Sequence, residues 1–396
     1  MAGEQSADAR EVLGVLRDGR PRTRTELARL TQRVRSTVTA QLEQLIESGL
    51  VVEEGAQVST GGRPSARYML ARANRLFGAF DLGICAGRVA VTDLAGTVLA
   101  LETLEYDLAS GPEVVLGRAI EVLRRLVGDA GHSLTDLLGV GVGVPGPVDT
   151  DHSRAVNPPL MPGWGGVDLG ALIRNTLGLD IPVPVDNDAN VFALGEWVNR
   201  WPEQSDMIVV KVGAGIGAGI VANGALLHGF AGAAGDIGHI WVPEARDRLC
   251  RCGQMGCLEA FAGGTGVARS LMLRSVPAGG TQDVVELVRS GNPLAVQTLR
   301  EAGRVVGDVL AALVAALNPA VIVIGGALVS AGDVLLAGIR ESIAARSQPA
   351  IVAMLRTVAA ADMDESAVQG CIRLAQNELF GLPSEPVVYY EAAASP

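Results

Sequence analysis

The densest chemistry in the chain lies in "GHIWVPEARDRLCRCGQMGCLEAF", where His239, Cys250, Cys252 and Cys257 follow one another as H-x10-C-x-C-x4-C. Three thiols and an imidazole are soft or borderline donors, in the number that closes a tetrahedral zinc site and leaves no position open for catalysis. Of the five cysteines only Cys85 and Cys371 lie elsewhere, and both read as buried small hydrophobes. In a reducing compartment such clustering points to structural Zn2+ rather than to disulfides. A second group of residues suits phosphate. "DLGICAGRVAVTDLAG" reads as a strand, a tight turn at Gly87 and a second strand. Asp81 and Gly83 in it can hold a metal and a nucleotide phosphate, as a working loop or as the shell of one. "VGAGIGAG" places Gly213 and Gly215 after a strand and invites a dinucleotide-binding reading. The following "AGIVANGALLHG", β-branched with an Asn223-Gly224 turn, predicts a hairpin where that motif needs a helix. Finally, Asp188 stands where "IPVPVDNDANVFALGEW" passes from strand to helix, which suits a general base and equally a helix cap.

These groups need a sizeable scaffold, and 396 residues allow two or three cores. Strand-like and helix-like segments alternate from Leu76 onward. Two glycine-bearing hairpins, one early in each half of that region, predict related lobes closing on a nucleotide or sugar. The 48% hydrophobic content is largely Ala, Val and Gly, and no apolar run reaches the roughly 18–20 residues of a membrane span. No partnership with membrane is therefore expected. The opening "MAGEQSADAR" lacks a basic and an apolar signal region, so the expected compartment is the cytoplasm.

A net charge of −11 argues against nucleic acid, but the charge is uneven. Residues 1–72 hold eleven arginines against nine acids, so only this segment suits DNA. There, Val12, Leu13, Val15 and Leu16 form one side of a short helix ending at Gly19. A second helix is capped by Thr23 or Thr25, and a third buries Val38, Leu42, Leu45 and Ile46. This is helix-turn-helix spacing, with Arg35, Ser36, Thr37 and Thr39 at the end that enters the major groove. "LVVEEGAQVSTGGRPSARYML" adds a wing whose Arg63 and Arg67 suit backbone or minor groove. Gln32 and Arg33 occupy the turn where glycine fits most easily. Lys211 is the only lysine in the chain, and the sequence alone attaches no function to it.

Together "GVGVPGPVD", "VDNDANVFALGEW", "VKVGAGIGAGI", "GAAGDIGHI", "CRCGQMGCLEA" and "NPAVIVIGGALVSAG", in this order and after "TGGRPS", resemble the repressor branch of the ROK (repressor, open reading frame, kinase) family. The resemblance implies an α/β, two-lobed, actin-like or ribonuclease-H-like domain behind an all-α winged helix-turn-helix domain. The expected divisions are a DNA-binding domain at 1–72, a first lobe at 73–190 completed by a C-terminal helix at 366–382, and a second lobe with the zinc loop at 191–365. Asp188 matches the kinases' general base. Asn187, Asp188, Asp236, His239 and Glu259 match sugar-hydroxyl contacts, so His239 would join the zinc loop to the sugar site. The family's first phosphate loop reads D-x-G-G-T and its second G-T-G. Here Ile84 and Cys85 follow Asp81 and Gly83, and Ala214 separates Gly213 from Gly215, so both phosphate-reaching hydroxyls are absent. Asp236 stands where Glu is usual. The expected protein is a sugar-responsive transcriptional regulator, a homodimer or homotetramer on a two-fold related operator, with a non-catalytic ROK domain. The alternatives are an ATP-dependent sugar kinase with an accessory DNA-binding segment, and a zinc-stabilised sugar-binding module.

Overall fold

A computed structural model of the chain describes residues 7–54, 66–71, 75–84, 86–156 and 161–380. The N-terminal unit holds α1 (Ala7–Leu16), β1 (Arg22–Thr23), α2 (Arg24–Thr31), α3 (Arg35–Glu47), β2 (Val51–Glu54) and β3 (Arg67–Leu70), with the strands ordered β1-β3-β2. Thr23, not Thr25, caps α2. Its hydroxyl accepts from Glu26 N while Glu26 returns a carboxylate to Thr23 N, a reciprocal box of the kind that contributes about 1 kcal/mol. Gln32 ends α2 at φ 56°, so the turn takes the left-handed conformation without glycine. The apolar face of α1 is buried as its spacing predicts. On α3 the buried set is Val38, Gln41, Leu42 and Leu45, whereas Ile46 is 39% exposed. Gln41 completes the i, i+3, i+4, i+7 stripe, and Ile46, at i+8, falls on its outer edge, about 100° round the helix from Leu45.

The first large sheet starts as an antiparallel meander, β4 (Leu76–Leu82), β5 (Ala86–Asp93) and β6 (Val98–Glu105). After α4 (Pro112–Asp129), β7 (Leu137–Val144) joins β4 in parallel. A small hairpin, β8 (Val148–Asp149) and β9 (Arg154–Ala155), and α5 (Leu169–Leu177) lead to β10 (Val185–Asn187), parallel to β7. Gly87 is not the turn residue: it lies in β5 opposite Leu82, so the chain has already reversed before it. A Cβ on Gly87 would stand 2.7 Å from the Tyr106 hydroxyl, which donates to Gly83 O.

A single helix, α6 (Asp188–Arg200), then crosses to a second sheet. This begins with β11 (Met207–Val212), β12 (Ile216–Ala222) and β13 (Ala225–Leu226), antiparallel in turn. The hairpin after "VGAG" removes the dinucleotide reading. Helices α7 (Leu258–Ala262), α8 (Gly264–Leu273), α9 (Thr281–Arg289) and α10 (Pro293–Leu317) precede β14 (Val321–Gly325). Next come α11 (Val334–Arg346), α12 (Pro349–Val352), β15 (Arg356–Ala359) and α13 (Met363–Phe380). The sheets run β10-β7-β4-β5-β6 and β13-β12-β11-β14-β15. Numbered within each half, both follow one plan: a meander whose first strand then accepts two parallel strands. The chain is thus a duplicated mixed sheet, with a hairpin turn of each copy facing the same gap.

The helix expected at 366–382 spans Met363–Phe380, its last expected residues lying outside the described ones. It packs against β4, β5, β7, α6 and α1. The divisions expected at 190–191 and 365–366 fall inside the continuous helices α6 and α13, where no linker composition marks a junction. The N-terminal core of Leu13, Leu27, Leu42 and Tyr68 is continuous with Phe77, Val368 and Ile372. Among the described residues no helix is long and apolar enough to cross a membrane.

Candidate functional site

A cavity of about 450 Å³ opens between the two sheets. Gly83 and Ile84 reach it from the first hairpin, Gly213, Ala214 and Gly215 from the second, and Asn187 and Asp188 from the head of α6. Asp236, His239 and Glu259 complete the far wall. Residues distant in the chain are thus gathered in one place. Asp81 is not among them. It lies beneath the cleft, 1% exposed, with Oδ2 accepting from Arg88 Nη1 at 3.0 Å.

Asn187, not Asp188, caps α6. Its Oδ1 accepts from Ala189 N and Asn190 N, and its Nδ2 donates to Gly146 O at 2.8 Å. Asp188 is left as the first helical residue with its carboxylate in the cleft, where Lys211 Nζ donates to Oδ2 at 2.8 Å. Glu259 Oε2 accepts from Ile216 N at 3.1 Å, which pins the carboxylate under the second hairpin. Burial pushes the Asp236 and Glu259 carboxyls up, partly offset by His239 and, for Glu259, by the Ile216 bond.

The four donor atoms of His239, Cys250, Cys252 and Cys257 all lie within 4.8 Å of one another. Cys252 Sγ is 3.6 Å from Cys257 Sγ, and Cys250 Sγ is 3.6 Å from His239 Nδ1. A tetrahedral zinc with arms of about 2.3 Å has edges near 3.8 Å, so the donor set fits the ion. Burial raises the Cys257 thiol to about 12, so metal binding has to displace its proton. Cys371 is buried as expected, and Cys85 lies outside the described residues. His239 divides its ring between two tasks: Nδ1 faces the thiols, and Nε2 is 3.8 Å from Asp236 Oδ1 beside the cleft. Metal on Nδ1 would fix Nε2 as the protonated donor aimed at a ligand.

The leading amide of each phosphate loop is engaged within its own loop. Gly83 N donates to Ala86 O at 3.0 Å and Gly213 N to Gly215 O at 2.9 Å, so neither amide points to a ligand. Ile84 reaches across, its Cδ1 3.4 Å from where a Cβ on Gly215 would stand.

Residues 77–378 match the sequence profile of the ROK family. The chain belongs to the ROK family. It is 29% identical to the xylose repressor of Caldicellulosiruptor bescii over 393 residues, covering 94% of this chain and 96% of that one. It is 32% identical to the glucokinase of Halalkalibacterium halodurans over 296 residues, covering 70% and 88%. A crystal structure of a ROK family transcriptional regulator, a homologue of the E. coli MLC protein, superposes with a TM-score of 0.79 at 24% identity, covering 94% and 97%.

At the N-terminal end of the ROK chain, Arg35 and Ser36 are exposed at the head of α3. Thr37 and Thr39 are half-buried, and the Thr39 hydroxyl donates to Arg35 O. Arg67 lies in β3 opposite Thr23 and Glu54, and Arg63 falls outside the described residues.

Two cleft-side features escape a sequence reading. One is Lys211, whose rarity in an arginine-rich chain was the available signal. The other is His228, which follows β13 and bonds Asp186 Oδ2 through Nε2 at 2.7 Å. Asp186 Oδ1 meanwhile accepts from Asn187 N and Asn190 Nδ2, so His228 ties the loop leading to Asp236 to the head of α6. The Asp186 bond raises the His228 pKa, burial opposes it, and the Asp186 charge adds to the rise. A raised folded pKa gives stability that is complete below the unfolded value of about 6.5 and lost as pH climbs through the folded value. In urea melts the stability gap between the native chain and His228→Gln is therefore widest at pH 6 and closes by pH 9. An equal gap at both pH values would deny the charged pair.

Proposed function

We propose that the chain is a sugar-responsive transcriptional repressor whose ROK domain binds a small sugar and no longer transfers phosphate. The observation that carries this reading is a winged helix-turn-helix unit sharing one hydrophobic core with α13 of the sugar-binding body. Its repressor relative aligns with the chain along nearly its whole length. In this reading Arg35, Ser36, Thr37 and Thr39 meet the major groove, and Arg63 and Arg67 meet phosphates or the minor groove. A homodimer or homotetramer presents two such units to a two-fold operator with half-sites about 10 bp, or a multiple, apart. Acting on DNA, the protein belongs in the cytoplasm.

Asn187, Asp188, Asp236, His239 and Glu259 hold the sugar, since carboxylates accept hydroxyl protons and the imidazole donates. Structural Zn2+ on His239, Cys250, Cys252 and Cys257 keeps that imidazole in place. Ligand closes the two sheets and shifts the operator equilibrium only as far as its affinity differs between open and closed forms. The retained Asp188 and the glucokinase relative favour one rival, an active kinase. Both loops oppose it, because their leading amides are engaged and Ile84 fills the gap between them.

The test is selection of bound DNA from a random pool, followed by fluorescence anisotropy with and without a sugar panel at moderate salt. Sequence-specific binding modulated by one sugar is expected. Absence of specific binding overturns the reading, and sugar-dependent ADP release from ATP and Mg2+ would establish the kinase instead.

A further inference from the structure

Lys211, next to last in β11, stands opposite Gly217 on one side and Gly325 on the other, so it is the only side chain longer than hydrogen in that row. The row lies under α6: a Cβ on Gly217 would approach Ala189, and one on Gly325 would strike the Phe192 ring at 2.5 Å. The ammonium therefore emerges beneath the N-terminal end of α6. That is an unfavourable place for a cation, because the helix dipole is positive there. Carboxylates hold it. Asp188 Oδ2 lies 2.8 Å from Nζ, and the charge of Asp81 acts on it from below. Asp81 Oδ1 has no hydrogen-bond partner among the described residues, although the side chain is almost wholly buried. Its other oxygen meets Arg88, which also pairs with Asp364 of α13. Burial pulls the Lys211 ammonium down, but Asp188 and Asp81 outweigh it and keep the group above its ordinary value, hence charged.

We propose that Lys211 is a resident counter-cation, paired with Asp188 and balancing the buried Asp81, that takes the place a divalent metal would need and turns Asp188 from proton acceptor into a fixed acceptor for a ligand hydroxyl. The proposal rests on the sensor reading of this cleft. In phosphoryl transfer a divalent ion bridges nucleotide phosphates while the base keeps a lone pair for the attacking hydroxyl. Here one oxygen of Asp188 is engaged by the ammonium, and Asp188 Oδ1, approached among the described residues only by Asn187 Nδ2 at 3.4 Å, remains for ligand. A metal seeking oxygens at about 2.1 Å would have to expel a tethered like charge. The cleft thus selects a neutral polyol without nucleotide.

The test is Mn2+ binding by electron paramagnetic resonance on the zinc-loaded full chain, since a hard cation leaves thiolate ligands alone. The native chain is expected to bind Mn2+ weakly. Lys211→Met, which bares two carboxylates, and Lys211→Gln bind it at least about tenfold more tightly, and adding Asp81→Asn and Asp188→Asn removes the gain. Equal Mn2+ affinity in native and Lys211→Met chains overturns the proposal, as does a gain that survives removal of both acids. Should both single variants unfold, Asp81→Asn/Asp188→Asn/Lys211→Met decides: restored folding supports a counter-cation and continued unfolding overturns it. Operator binding by the native preparation reads the sensor function separately. Its failure would defeat that reading and leave the Mn2+ outcome to stand or fall alone.

Discussion

Replacing Cys257 with serine empties the zinc site and, with it, weakens sugar binding ten- to a hundredfold. The two losses are linked through His239, whose Nδ1 faces the thiols while Nε2 faces Asp236 and the cleft. Among the described residues, Cys250 is the partner that Nδ1 approaches, and metal is what would hold the ring against rotation. With the metal gone the imidazole has two orientations and two tautomers, and only one combination donates into the cleft. A buried donor or acceptor left without its partner costs about 1–3 kcal/mol, which sets the expected loss. The body still folds, because the loop lends only Val242 and Ala245 to the core of the second sheet, whose other residues lie outside it. Elemental analysis should find about one zinc per native chain and almost none in the variant. A calorimetric titration with the sugar found in the anisotropy screen gives the second number. Native affinity in the zinc-free variant would show that the loop is only a structural clasp.

Much of this site was legible because its signals are local. The ligand spacing of His239 and the three cysteines, and the hairpin after "VGAG", follow from a few neighbouring residues and the chemistry of each type. The same locality explains the misses. From sequence Asp188 suits the cap as well as the base, and only the fold, in which Asn187 Oδ1 takes Ala189 N and Asn190 N while Gly146 O takes its amide, gives the cap to Asn187. Gly87 looked like a turn because glycine usually is one, yet its reason is the Tyr106 hydroxyl lying across the strand. Ile46 looked buried by type, and the stripe chose Gln41 by angle. Lys211 carried no signal beyond its rarity: its meaning is set by Asp81, Asp188 and two glycines contributed by other strands.

Gly195→Ala is expected to cost about 1–3 kcal/mol of stability and to reduce the effect of sugar on operator affinity. Alanine is the better helix former by about 1 kcal/mol, so propensity alone predicts the opposite sign. Packing reverses it. A Cβ on Gly195 would stand 1.7 Å from Ser366 O, and one on Gly370 1.9 Å from Val191 O, so α6 and α13 touch backbone to backbone at two points. Neither helix can make room without moving the other. The head of α6 carries Asn187 and Asp188, while the far end of α13 meets both the N-terminal unit, where Arg17 Nη1 donates to Asn377 Oδ1 at 3.1 Å, and the first sheet, where Phe380 lies edge-on to Phe77 at 6.3 Å. A displacement of α6 on ligand closure therefore has a rigid route to α1. Gly117→Ala in α4 is the control, since nothing lies within 4 Å of its added methyl and only propensity acts. Urea melts and sugar-dependent anisotropy on both variants separate the terms. Loss of stability with undiminished sugar response would mean that the signal bypasses this helix pair, and then the first sheet, through β4 and Phe77, is the remaining connection between cleft and winged helix.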